Sequence, residues 1–137
     1  MSKIFLDTNV LVYSADSYDK QKQKKALQIL EDGIMKNSVV ISTQVLQEFY
    51  VTATKKLGIK PLYAKEILKA YQKFEIVQVS EDIILNAIDI QTLHSFSFRD
   101  SLIISACAGA NCKYLYTEDL QHNQKIGEFT VINPFSD

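Results

Sequence analysis

Short apolar runs alternate along this chain with longer stretches of helical period. Ile4-Phe5-Leu6, Val39-Val40-Ile41, Ile76-Val77-Gln78-Val79, Tyr114-Leu115-Tyr116 and Thr130-Val131-Ile132 read as strands. Between them the pattern predicts a short helix over residues 9–16 and longer ones over 20–36 and 43–57, with Gly58 as a C-terminal stop. Another begins with Pro61 in its first turn and carries Leu62, Ile67, Leu68 and Tyr71. In the second helix Ala26, Leu27, Ile29, Leu30 and Ile34 form an apolar stripe behind a lysine-rich face. Ser80 is a good N-cap for a helix whose expected core face is Ile83, Ile84, Ala87, Ile88 and Leu93. Residues 100–110 are apolar nearly all round, so that helix should be buried. Pro134 ends the pattern. Strands alternating with helices in this way predict an α/β fold with a mainly parallel sheet.

Length and composition narrow this picture. A chain of 137 residues suits one domain spanning 1–137, large enough to bury a core without disulfides. With 4 glycines, 2 prolines and 47% hydrophobic residues, disordered and collagen-like readings drop out. No repeat of solenoid length and no internal linker is apparent. The Lys20–Lys25 run reads as a solvated helix face. Cys107 and Cys112 read as small buried residues of a reduced protein. The apolar run at the N-terminus is too short for a secretory core, and no run reaches a membrane span, so the expectation is a soluble, cytoplasmic protein. The net charge of -1 removes any picture of nucleic-acid binding through bulk charge. Nucleic-acid chemistry would need a local patch, a bound metal or a second subunit.

Four acids carry the candidate chemistry. Asp7 follows the first strand and precedes a helix, where it could serve only as an N-cap; ligand sites of open α/β sheets also lie at such strand ends. Glu48 stands beside the apolar arc of Val45, Phe49 and Ala53, about 60° beyond Val45. Asp100 shares a stripe with Ile104 and Cys107 on the apolar helix, so its charge needs a partner, either Arg99 or a metal. Asp119 follows the Tyr114–Tyr116 strand, with Glu118 beside it pointing elsewhere. Each acid alone has an ordinary structural explanation. A parallel sheet, however, would bring at least Asp7 and Asp119 to one edge. Two like charges ~4 Å apart cost ~4 kcal/mol at an effective dielectric of 20, so a four-carboxylate cluster persists by shifting pKa values or by holding a cation. Hard oxygen donors select Mg²⁺ or Mn²⁺. His94 and His122 lie too far apart, without cysteine company, to suggest zinc.

Five segments together resemble the PIN-domain family, in particular the bacterial VapC-like toxin ribonucleases. They are Phe5-Leu6-Asp7-Thr8-Asn9-Val10-Leu11, Ile41-Ser42-Thr43-Gln44-Val45-Leu46-Gln47-Glu48-Phe49, Phe98-Arg99-Asp100-Ser101-Leu102-Ile103-Ile104, Leu115-Tyr116-Thr117-Glu118-Asp119-Leu120, and Val131-Ile132-Asn133-Pro134-Phe135. Their order and spacing agree over essentially the whole chain. The resemblance implies a three-layer α/β/α sandwich and Mg²⁺- or Mn²⁺-dependent cleavage of RNA. It implies that Asp7, Glu48, Asp100 and Asp119 ligate metal, directly or through water, with Thr8 and Thr117 as supporting hydroxyls and Asn9 nearby. It further implies a homodimer and a cognate antitoxin; the lack of a membrane-length apolar run argues against a membrane partner. The competing reading is a non-catalytic RNA- or protein-binding module with the same fold. A dehalogenase-type phosphatase would need an acid where Asn9 stands, and a receiver domain would need an acidic pair before its acceptor aspartate.

Overall fold

A computed structural model describes residues 2–136. The elements run β1 (Ile4–Leu6), α1 (Thr8–Ala15), α2 (Lys20–Lys36), β2 (Val39–Ser42), α3 (Thr43–Lys55), α4 (Pro61–Ala70), a 3-10 turn (Tyr71–Lys73), β3 (Glu75–Val77), α5 (Glu81–His94), α6 (Phe98–Gly109), β4 (Tyr114–Tyr116), β5 (Lys125–Ile126) and β6 (Phe129–Ile132). The sheet order is β3-β2-β1-β4-β6-β5; only the β5–β6 pair is antiparallel. Right-handed crossovers from β1 to β2 to β3 put α1–α4 on one face, and the return from β3 to β4 puts α5 and α6 on the other. The packing agrees: α1 contacts α2 and α3, α3 contacts α4, and α5 contacts α6. The result is a three-layer α/β/α sandwich, with Phe5, Leu6, Val40, Ile41, Leu115 and Val131 buried in its sheet.

Two strand ends turn straight into helices. Ser42 closes β2 and also caps α3, its hydroxyl accepting from the Val45 amide at 3.3 Å. Asp7 alone separates β1 from α1, where it is the N-cap. The chain leaves β1 toward β2 and later returns on the other side of β1 as β4, so the order in which strands are added reverses between the parallel neighbours β1 and β4. In open α/β sheets the crevice outside the carboxyl ends of such a pair is where ligands bind. Leu6 pairs with Tyr116 in the β1–β4 register. Asp7 and Thr117, the next residue on each strand, therefore lie side by side in that crevice.

The structure corrects the expected buried faces of α2 and α5. In α2, Ala26 and Gly33 are buried, whereas Leu27 and Ile34 stay 49% and 47% exposed. The cause is proximity: a Cβ on Gly33 would lie 2.1 Å from Val39 Cγ2, so not even an alanine methyl fits where α2 crosses β2 unless Val39 shifts. Ile29 and Leu30 pack beside that crossing. In α5 the inward residues are Ile83, Ala87 and Ile90; Ile84, Ile88 and Leu93 face outward. The chain offers apolar residues on two faces of this helix, and a polar pair helps to choose between them. Asn86 donates to Ser105 Oγ at 3.0 Å, and that hydroxyl donates to the Ile83 carbonyl at 2.8 Å.

Several boundaries also move: α1 spans Thr8–Ala15 and α3 ends at Lys55. β3 begins at Glu75 and ends at Val77. α6 begins at Phe98, because the Ser97 hydroxyl accepts from the Asp100 amide at 3.0 Å and caps the helix earlier. The two-residue β5 was not expected at all; Gly127, with φ +55, allows the tight return into β6. Cys107 and Cys112 are free and buried. The Cys107 thiol is pushed up, by its hydrogen bond with Cys112 and then by burial, so it stays protonated.

Candidate active site

Four elements deliver one acid each to the crevice. Asp7 comes from the end of β1, Glu48 from the second turn of α3, Asp100 from the first turn of α6 and Asp119 from the loop after β4. At their centre is Arg99, the only arginine of the chain. Its Nη2 donates to Asp7 Oδ1 and Glu48 Oε1, both at 2.6 Å. Its Nη1 donates to Asp7 Oδ2 at 3.1 Å and Asp100 Oδ1 at 3.0 Å, and Nε donates to Glu48 Oε2 at 3.1 Å. Asp119 Oδ2 lies 3.6 Å from Nη1. One guanidinium thus touches or neighbours all four carboxylates, in the two-pronged geometry that arginine alone provides.

Hydroxyls and amides fix the acids in place. Asp7, whose side chain is only 2% exposed, accepts from the Thr8 amide at 2.6 Å and from the Thr117 hydroxyl at 2.8 Å. The Thr8 hydroxyl donates to Glu48 Oε1 at 2.5 Å. Asn9 Nδ2 donates to Asp119 Oδ2 at 3.2 Å and to Thr117 Oγ1 at 3.3 Å. Asp119 is the most exposed of the four, at 48%. All seven residues anticipated from sequence, Asp7, Glu48, Asp100, Asp119, Thr8, Asn9 and Thr117, meet in this one place.

Glu118 takes a different direction. It accepts from Tyr13 Oη at 2.6 Å and from Lys22 Nζ at 3.1 Å, and Lys22 also donates to Tyr13. Lys22 is therefore tied down rather than merely solvated like its lysine neighbours. Phe135 packs edge-on against the Tyr13 ring at 4.8 Å. Tyr13 and Glu118 of this group, with Val12, line a cleft of about 580 Å³ that is also lined by Gln47, Glu48, Val51, Thr52 and Lys56. Arg99 and Asp119 line its floor.

Sequence reasoning missed the reach of Arg99 and the role of Gln44. Arg99 was visible only as a neighbour for Asp100; its bonds to Asp7 and Glu48 span 92 and 51 positions, which no local pattern reveals. Gln44 donates to Glu48 Oε2 at 3.3 Å and to the Arg99 carbonyl at 3.2 Å, so it joins α3 to α6. The i, i+4 spacing of Gln44 and Glu48 was a signal that could have found it.

The electrostatics follow from this crowding. Burial pushes the Glu48 carboxyl up, but hydrogen bonds from Arg99 and Thr8 outweigh it and hold its pKa below the ordinary value of 4.5. Asp119 moves the other way, raised by burial and by the charge of Asp7, against the pull of Arg99. Burial opposes the Arg99 charge, yet its bonds to Asp7 and Glu48 prevail and it stays protonated.

A stability prediction follows for Glu48. Its folded pKa is depressed, so its contribution is fully present above pH ~4.5 and is lost as pH falls through the folded value. The unfolding free energy of wild type minus that of Glu48→Gln should therefore rise with pH up to about 5 and stay flat above. Urea titrations of both proteins between acid and neutral pH would measure this. A difference independent of pH would show that the Glu48–Arg99 contact does not persist in solution.

The donor chemistry also bears on a metal. Four carboxylates face a single positive charge, and two more oxygens at the cluster, Asn9 Oδ1 and Gln44 Oε1, are buried with no donor among the described residues. Such a set is short of positive charge and rich in hard oxygens, which fits a divalent ion of the Mg²⁺ or Mn²⁺ type. Among the described residues, no three acids as they stand around Arg99 are grouped closely enough to hold one ion.

Residues 4–126 match the sequence profile of the PIN domain. The chain belongs to the PIN-domain family. That family is one of nucleases. No curated protein matches the chain in sequence. Solved structures do match it in fold. VapC20 of Mycobacterium tuberculosis, described as a sarcin-ricin loop cleaving toxin, superposes with a TM-score of 0.72 at 17% identity, over 85% of this chain and 92% of that one. A chain of a toxin–antitoxin complex from Klebsiella pneumoniae gives 0.71 at 21% identity, over 99% and 100%. One from VapBC2 of Rickettsia felis, bound to a fragment of its promoter DNA, gives 0.69 at 21% identity, over 93% and 96%. Among the described residues, no helix of this PIN domain is long and apolar enough to cross a membrane.

Proposed function

We propose that this PIN domain is a Mg²⁺- or Mn²⁺-dependent endoribonuclease, the toxin of a toxin–antitoxin pair, working in the cytoplasm as a homodimer. Asp7, Glu48, Asp100 and Asp119 hold the ion, and Thr8, Asn9 and Thr117 set their orientation. The observation that carries this reading is the convergence of four acids from four separate parts of the chain at the carboxyl edge of the sheet, beside an open cleft that Glu48 and Asp119 line. When bound, a divalent ion supplies charge for the phosphoryl oxygens and lowers the pKa of a water that attacks the phosphodiester.

The chain's own residues prepare the site. Thr117 and the Thr8 amide hold one carboxylate orientation of Asp7, and the Thr8 hydroxyl does the same for Glu48. Asn9 holds Asp119 toward the cleft. Lys56, at the far end of that cleft, offers a cation to the backbone of an RNA strand, in a protein whose net charge attracts none. The antitoxin assignment is supported by the company of the fold, since similar structures are toxin–antitoxin complexes; the homodimer rests on the family resemblance alone.

The test is incubation of purified protein with mixed RNA, with Mn²⁺ and with EDTA. Fragments that appear only with the metal support the enzyme. RNA binding without cleavage would overturn it in favour of a non-catalytic module, in which the Arg99 network simply neutralises the acids.

A further inference from the structure

We propose that Arg99 is a built-in counter-cation that occupies the centre of the acid cluster and must swing into the cleft before a divalent ion can bind. Occupancy of the site is then a competition between the chain's own guanidinium and the ion. The inference rests on the metal-dependent reading above and adds a regulatory step to it.

Three observations carry it. First, the guanidinium is fully engaged: Nε, Nη1 and Nη2 make five contacts with the carboxylates of Asp7, Glu48 and Asp100 at 2.6–3.1 Å, matching its five N–H donors. Oxygens arranged around a flat guanidinium stand wider apart than those around an ion with bonds of about 2.0–2.1 Å. That spacing accounts for the lack, among the described residues, of a three-acid group fit for a metal. The guanidinium and the ion exclude one another.

Second, Arg99 stands between solvent and the deepest acid. Its side chain is 33% exposed and lines the cleft, while that of Asp7 beneath it is 2% exposed. An ion arriving through the cleft meets the guanidinium before it can reach Asp7.

Third, the backbone at and just after Arg99 is clamped, and only its one-third-exposed side chain reaches the cleft. The Arg99 carbonyl accepts from Gln44, and the next amide is capped by Ser97. A swing therefore needs only side-chain rotations, with α6 unmoved. The exchange is electrostatically favourable for the cluster: one positive charge among four negative ones gives way to two, held closer.

Two measurements test this, both on the intact chain. Calorimetric titration with Mn²⁺ should show Arg99→Gln binding at least about tenfold more tightly than wild type. Arg99→Lys should fall between them, since one ammonium cannot grip two carboxylates in pairs. In wild type, labelling by phenylglyoxal reports on Arg99 alone, because the chain has no other arginine. Its rate should rise several-fold when Mn²⁺ is added, and this arm does not depend on a variant folding. Mn²⁺ that binds wild type while leaving the labelling rate unchanged or slower overturns the competition and leaves the metal reading standing. Equal or weaker binding by a folded Arg99→Gln does the same. No Mn²⁺ binding by any of the proteins removes the metal reading and this inference with it.

Discussion

Asp7→Asn should leave a folded protein that no longer cleaves RNA, with turnover down by at least about 10²–10³-fold, the usual cost of losing one charge-stabilising group at a reacting centre. The substitution is nearly isosteric. Asparagine is as good an N-cap as aspartate, so α1 keeps its start. What changes is charge and donor pattern. The deepest acid becomes neutral, and one of its two oxygens becomes an amide nitrogen facing either Arg99 or the Thr117 hydroxyl, both of which donate to Asp7 in the native site. Far-UV circular dichroism and a thermal melt would establish that the variant is folded. Metal-dependent cleavage at the wild-type rate by that folded variant, prepared free of other nucleases, would remove Asp7 from the mechanism.

Phe49→Ala should be the most damaging single change to stability, at about 3–5 kcal/mol. Phe49 is fully buried and meets the Tyr71 ring edge-on at 5.5 Å, and Tyr71 stacks on Phe74 at 5.8 Å. These three rings connect α3 to the 3-10 turn that leads into β3. Against a typical total of about 5–15 kcal/mol, the loss would lower Tm by roughly 10–20 °C. It would also reach the site, because Glu48 is the preceding residue and owes its position to the anchoring of α3. A melting temperature within about 3 °C of wild type would contradict the packing described for this helix.

Much of this was legible in the sequence, and the reasons are local. β1, β2, β4 and β6 are short, largely buried apolar runs, and such runs leave a strong pattern. The capping serine Ser80 stands next to the apolar period it introduces. The acids could be singled out because two of them follow strands that a parallel sheet must align. What was not legible depends on tertiary choice. Apolar residues occur on more than one face of α2 and α5, and only the close crossing at Gly33 and the Asn86–Ser105 pair decide which turns inward. β5 is two residues long, too short for any periodicity. Arg99 lay in plain view beside Asp100, but a residue bonded to partners 51 and 92 positions away has no local signature.

The ends of the sheet constrain how this molecule can assemble. On one side the outermost strand is β5, two residues long, with an exposed lysine at position 125. On the other it is the three-residue β3, whose Glu75 is held by Lys3 at 2.9 Å. Rims this brief, each bearing charge, offer little backbone for another chain to extend the ladder. Association through strand addition is thus disfavoured, and any stable companion must grip helices or loops.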